Sequence, residues 1–213
     1  MMMFTQAFRY AYEPFVFARH KDKNSVEAYA DIMKYYIIAS LFILLGMIFF
    51  LDILKLIISP AYWSGLRVVP IVLFSYVFQG IFFNLSLWYK LTDKTIFGTY
   101  FSLIGCVITL AINVLCVPSM SYMASAWASF VCYLTIMVLS YVVGQRYLRV
   151  PYDLRAIGGY FALSCVLLGI YALVVHYWRD VLWACYLCRV VLIVIYACVV
   201  YWREWPKLRR TRL

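Results

Sequence analysis

Residues 95–145 read TIFGTYFSLIGCVITLAINVLCVPSMSYMASAWASFVCYLTIMVLSYVVGQ, fifty-one consecutive residues without a formal charge. A bilayer core of about 30 Å is crossed by around 20 apolar residues rising ~1.5 Å each, so this stretch is too long for one crossing and right for two. Pro118-Ser119-Met120-Ser121 supplies a turn near its middle, because proline cannot continue a helix and serine competes for backbone hydrogen bonds. The stretch predicts a hairpin of two membrane helices, over 95–117 and 122–145.

The flanking sequence extends the pattern in both directions. Seventeen uncharged residues separate Lys34 from Asp52, twenty-two separate Arg67 from Lys90, and residues 156–178 add a run of twenty-three. These predict helices over 35–58, with Lys55 snorkelling to the interface, over 68–90 and over 156–178. A further helix over 181–202 carries Arg189, a cost of about 3 kcal/mol near a helix centre that the surrounding Leu, Val, Ile and Tyr outweigh. Residues 1–18 hold Arg9 and Glu13 and make most of another helix. The expectation is an all-α integral membrane protein of about seven transmembrane helices in a single domain, 1–213.

Composition agrees. Of 213 residues, 67% are hydrophobic and 13% charged, with a mean hydropathy of +0.88, whereas soluble domains run near half apolar and one quarter charged. Nineteen Lys and Arg stand against nine acidic residues. A nucleic-acid binder would cluster those cations on one patch, but here they punctuate apolar runs in short loops, as membrane proteins arrange them. Anionic lipid is the partner implied, and nucleic acid is not. Fourteen Lys and Arg fall in one set of alternate loops and the carboxyl-terminal tail, and three (Lys55, Arg67 and Arg179) in the other set. That bias places the first set and the carboxyl terminus in the cytoplasm and, with seven crossings, the amino terminus outside. Tyr62 and Trp63, Trp88 and Tyr89, Tyr177 and Trp178, and Trp202 and Trp205 read as interfacial aromatic belts.

Small residues at helical spacing mark contact faces, because helices in lipid associate by close packing. Gly98, Ser102, Gly105 and Thr109 form such a stripe leading to Asn113, and Ala124/Ala128 and Ser125/Ser129 form another. All seven cysteines lie in apolar runs and read as packing residues, Cys185 and Cys188 included.

Polar side chains within apolar helices need a partner or a wet cavity. Arg9 and Glu13, four residues apart, share a helix face; they read either as a charged patch lining a cavity for an anionic head group or as a self-neutralised pair near an interface. Gln79, Asn84 and Asn113 are suited to line the same cavity and bind sugar hydroxyls, although interhelical hydrogen bonds explain them more economically. Arg189 can pair with lipid phosphate or with another helix, and His176 reads as interfacial. No zinc-binding H-E-x-x-H, no G-x-S-x-G elbow, no phosphate-binding glycine loop and no acidic loop cluster occurs. The sequence therefore points away from an enzyme and implies no metal and no cofactor.

Phe8-Arg9-Tyr10-Ala11-Tyr12-Glu13-Pro14-Phe15, Lys21-Asp22-Lys23, Gly65-Leu66-Arg67-Val68-Val69-Pro70 and above all Asn84-Leu85-Ser86-Leu87-Trp88-Tyr89-Lys90-Leu91-Thr92-Asp93-Lys94-Thr95 resemble the bacterial polysaccharide biosynthesis (oligosaccharide flippase) proteins. These belong to the multidrug/oligosaccharidyl-lipid/polysaccharide exporter superfamily. The resemblance is specific through Gln145 and weaker after Pro151. It implies a two-lobed, MATE-like transporter of twelve to fourteen helices in the inner membrane, moving an undecaprenyl-pyrophosphate-linked oligosaccharide, an O-antigen or capsule repeat unit, to the periplasmic leaflet by alternating access. Arg9 is the cation placed to neutralise pyrophosphate. Full members are about twice this length, so the resemblance further implies a carboxyl-terminal lobe whose amino-terminal partner lobe is missing, inactive alone. Three other readings stay open: a multidrug exporter lobe, which needs an acidic coupling site; a glycan-assembly enzyme, which needs catalytic residues in outer loops; and a non-catalytic scaffold.

Overall fold

A computed structural model describes residues 1–19, 25–56, 58–177 and 182–210, with side chains placed for 1–18, 26–56, 58–175 and 186–205. Lys21 to Lys23, Trp178, Arg179 and the side chains of His176, Cys185 and residues 206–213 lie outside the described residues, and so do the readings attached to them. Among the described residues every regular element is helical. The order is α1 (Met2–Arg19), α2 (Ser25–Phe49), α3 (Leu51–Lys55), a 3-10 helix (Pro60–Val68), α4 (Val69–Leu85), α5 (Leu87–Leu91), α6 (Ile96–Met120), α7 (Tyr122–Tyr147), α8 (Leu154–Tyr177) and α9 (Leu182–Arg210).

Among the described residues six segments are long and apolar enough to cross a membrane: Val26–Phe49, Pro60–Leu91, Ile96–Met120, Tyr122–Tyr147, Leu154–Val175 and Tyr186–Trp205. The chain is a multi-pass membrane protein. The eighteen-residue α1 carries Arg9, Glu13 and Arg19 and is not among the six.

Several boundaries differ from the sequence expectation, among them the end of the helix expected over 181–202, which runs on to Arg210. The helix expected over 35–58 begins at Ser25 and ends at Phe49. Its first turns were hidden by Glu27, Asp31 and Lys34. Yet a carboxylate suits a helix N-terminus, Lys34 Nζ lies 3.3 Å from Asp31 Oδ1, and Tyr29 and Met33 are buried. At its other end Phe50 leaves the helical region, and the short α3 follows. The expected turn at Pro118 to Ser121 shrinks to Ser121 alone, at φ 51° and ψ −136°. Pro118 stays inside the last turn of α6, where the loss of one intrahelical hydrogen bond is tolerable. The helix expected over 68–90 breaks at Ser86 into α4 and α5.

The chain packs as two compact units. The first comprises Met1–Ile37 and Pro60–Asp153, with α4 lying along α7 and α7 along α6. The small-residue stripes form contacts in part: Gly105, Ala124 and Ala128 are buried, with Cys132 Sγ 3.5 Å from the Gly105 carbonyl, whereas Ser102 and Ser125 are exposed. Trp88 and Tyr89, expected at the interface, are instead buried at 4% and 8% exposure. Trp88 stacks on Tyr147 with ring centroids 5.3 Å apart, and its Nε1 donates to Ser140 Oγ at 3.2 Å. Tyr62, Trp63, Trp202 and Trp205, by contrast, are exposed, as belt residues should be. The second unit comprises Ile38–Ser59 and Leu154–Leu213. Its core joins Leu41, Leu44, Leu45 and Phe49 of α2 with Tyr160 and Leu167 of α8 and Leu192 and Tyr196 of α9, and Tyr196 Oη donates to the Ile38 carbonyl at 3.1 Å.

Candidate functional site

Three charged side chains of the first unit meet at one place. On α1, Arg9 Nε donates to Glu13 Oε1 at 3.0 Å, the i,i+4 pairing that the sequence spacing predicts. The same oxygen accepts from Lys90 Nζ at 2.6 Å, from α5, seventy-seven residues away in the chain. Arg9 also lies over the Phe83 ring, 5.0 Å from its centroid, a cation–π contact that strengthens as water is excluded. All three charged groups are half-buried. Two cations share one carboxylate, so the trio keeps a net charge of +1.

A narrow pocket of about 10 Å³ adjoins the trio, lined by Arg9 and Glu13 together with Thr5, Tyr12, Tyr36 and Asn84, among others. Thr5 and Tyr36 share a hydrogen bond of 3.1 Å across it. Asn84 is 5% exposed; its Nδ2 donates to the Gly80 carbonyl at 3.0 Å, and its Oδ1 has no hydrogen-bond partner among the described residues. Arg9, Glu13 and Asn84 thus meet at one pocket.

Gln79 and Asn113 do not join them. Gln79 Nε2 donates to Tyr133 Oη at 2.9 Å, tying α4 to α7, and both side chains line an open groove of about 490 Å³ with Ser102, Cys106 and Thr109 of α6. Asn113 accepts from Ser125 Oγ at 2.8 Å, pinning α6 to α7, and donates to the Thr109 carbonyl at 2.9 Å. For these two residues the interhelical hydrogen bond is the arrangement seen.

No family model, curated protein or solved structure matches this chain. What the site can do therefore rests on its own chemistry. A half-buried trio with one surplus positive charge, beside an acceptor and several hydroxyls, suits an anion with hydroxyl-bearing substituents.

The second unit holds another ion cluster, in which a buried arginine meets a partly exposed carboxylate. Arg189 Nη2 lies 2.6 Å from Asp52 Oδ2, and Lys55 Nζ lies 3.4 Å from Asp52 Oδ1. Asp52 sits beyond the end of the Val26–Phe49 span. Partial burial opposes its ionisation, but the hydrogen bonds and charges of Arg189 and Lys55 prevail and hold its carboxyl below the usual carboxylate range. Sequence reading left the partner of Arg189 open; Asp52 was visible only as a charge ending an apolar run. The same holds for Lys90, whose place beside a tryptophan and a tyrosine suggests an interface rather than a carboxylate on another helix.

Proposed function

We propose that this chain is the carboxyl-terminal part of a flippase that moves undecaprenyl-pyrophosphate-linked oligosaccharide across the bacterial inner membrane for polysaccharide and lipopolysaccharide assembly. In this reading it forms most of one lobe of a two-lobed, MATE-like transporter, crosses seven times with α1 counted, keeps its carboxyl terminus in the cytoplasm and works with an amino-terminal lobe. The resemblance of its loops to that family supports the reading. The observation that carries it is the convergence of Arg9 and Lys90 on Glu13, which leaves a surplus cation among apolar helices where a diphosphate needs one. Lys90 lies inside the Asn84 to Thr95 stretch that resembles the family most closely. Asn84 at the same pocket and Gln79 in the neighbouring groove offer hydrogen-bonding groups to sugar hydroxyls. A multidrug exporter lobe would instead hold a free acidic group for a coupling cation, and both Glu13 and Asp52 already face two basic side chains each.

Reconstitution of the full chain in lipid nanodiscs with equal undecaprenyl pyrophosphate and undecaprenol tests this. Native mass spectrometry should show the pyrophosphate retained in preference, Arg9→Gln or Lys90→Gln should cut that preference about tenfold, as loss of one charge-assisted contact does, and Glu13→Gln should raise it. Equal retention of the two lipids by the unaltered chain would sink the reading. Expressed alone in a flippase-deficient strain, the chain should restore no surface polysaccharide; recovery there would refute its assignment as a partial transporter.

A further inference from the structure

Arg189 is 5% exposed, on the apolar span Tyr186–Trp205. A guanidinium carries five N–H donors on three nitrogens and no acceptor, so a buried arginine needs several oxygens around it. Here Nη2 reaches Asp52, while Nε and Nη1 have no hydrogen-bond partner among the described residues. Tyr186 and Tyr171 flank the group, with ring centroids 4.8 Å and 5.4 Å from Cζ. Their faces favour a cation but offer no lone pair to the remaining N–H groups. Lys55 stands on the other oxygen of Asp52. Two cations and one carboxylate again leave a net charge of +1, now with three N–H bonds unanswered among the described residues on a nine-tenths buried side chain.

We infer that Arg189, assisted by Lys55, binds a phosphate group that completes this half-satisfied cluster. The charge balance selects the ligand class: one singly charged phosphodiester neutralises the surplus. Guanidinium chemistry suits it, because phosphate oxygens accept charge-assisted hydrogen bonds from its N–H groups. The location selects how it arrives. Leu187, Val190 and Val191, on the same helix, are exposed and apolar, so α9 presents a lipid-facing surface beside the site. Asp52 is 43% exposed, at the end of a span, which is head-group depth. An anionic phospholipid meets both conditions; free phosphate offers the same oxygens from the aqueous side. The positive surplus discriminates against a zwitterionic lipid, whose ammonium it repels. This site shares no residue with the Arg9–Glu13–Lys90 trio and stands or falls apart from the flippase reading.

The full chain in nanodiscs of mixed phosphatidylglycerol and phosphatidylcholine should, on gentle detergent release, retain phosphatidylglycerol about tenfold over phosphatidylcholine in native mass spectra. Arg189→Gln should abolish the preference and Asp52→Asn should strengthen it, by removing the competing carboxylate. Arg146→Gln, a basic residue outside the cluster, should leave it unchanged. A second arm uses phosphatidylcholine discs with inorganic phosphate. Saturable broadening of the phosphate phosphorus-31 signal that Arg189→Gln removes, without phosphatidylglycerol preference, assigns the site to free phosphate and supports the same chemistry. If the unaltered chain shows neither lipid preference nor phosphate broadening, water fills the N–H groups and the proposal is overturned. It is also overturned if folded Arg189→Gln keeps the preference. Should that variant fail to fold, the unaltered chain and Asp52→Asn still decide, since a weaker preference in Asp52→Asn contradicts the site.

Discussion

Ser121 turns the chain between two membrane helices in a conformation that a side chain resists. At φ 51° and ψ −136° its Cβ crowds the neighbouring peptide, a cost of order 1–3 kcal/mol that glycine escapes. Asp93, at φ 54°, shares the positive φ, but a short polar side chain tolerates that region locally. Ser121→Gly should therefore raise the stability of the detergent-solubilised protein by about 1 kcal/mol, after the entropy that glycine adds to the unfolded chain is discounted. Thermal unfolding followed by circular dichroism reads this directly. A lowered midpoint would mean that the α6–α7 hairpin holds Ser121 for a contact that outweighs its strain.

At the scale of elements, two helix pairs depend on the absence of a side chain. A Cβ built on Gly144 would lie 2.7 Å from Trp88 Cδ1, and one on Gly80 would overlap the Tyr36 ring outright. Gly144→Ala should push Trp88 off its stack on Tyr147 and away from Ser140, costing about 1–3 kcal/mol by overpacking. Gly46→Ala, where nothing lies within 4 Å, should be neutral or stabilise α2 by up to about 1 kcal/mol through helix propensity. Near-ultraviolet circular dichroism and melting of the three proteins make the comparison, and equal losses in both variants would contradict it. These contacts also explain which parts of the fold were legible beforehand. Apolar length and small-residue spacing are local signals, so the hairpin of α6 and α7 and the face carrying Gly105, Ala124 and Ala128 could be read from the chain. The i,i+4 pairing of Arg9 with Glu13 was local too. The partners of those charges were not: Lys90 lies seventy-seven residues from Glu13, and Arg189 lies 137 from Asp52. No periodicity links such positions, and only packing brings them together. Trp88 was misread for a related reason, since a tryptophan suits a membrane interface and a buried stack equally well until packing against Tyr147 and Ser140 of α7 decides.

For the whole molecule the decisive quantity is the distribution of charge across the bilayer. Among the described residues six segments are apolar and long enough to cross, and the excess of fourteen cations at one set of alternate connections and the tail over three at the other predicts a cytoplasmic side for the first set. Alkaline phosphatase fused after Ser121 should be active in the periplasm, and fusions after Arg149 and after Leu213 should be inactive in the cytoplasm. Active fusions at both of those cytoplasmic points would reverse the orientation. The position of α1 then follows from one further label. Its trio reaches from Arg9 to Lys90 of α5, and Lys90 is among the cations predicted inside, so the end of α1 near Glu13 is expected toward the cytoplasm. A helix of eighteen residues is about 27 Å long, close to the hydrocarbon thickness. Its other end, at Met2, then emerges outside if the helix crosses. A cysteine placed ahead of Met2 should react with an impermeant maleimide added to intact cells. If it reacts only after lysis, α1 lies along the cytoplasmic surface, the crossings number six, and the Arg9–Glu13–Lys90 cluster becomes an interfacial ion pair with no reach into a transport cavity.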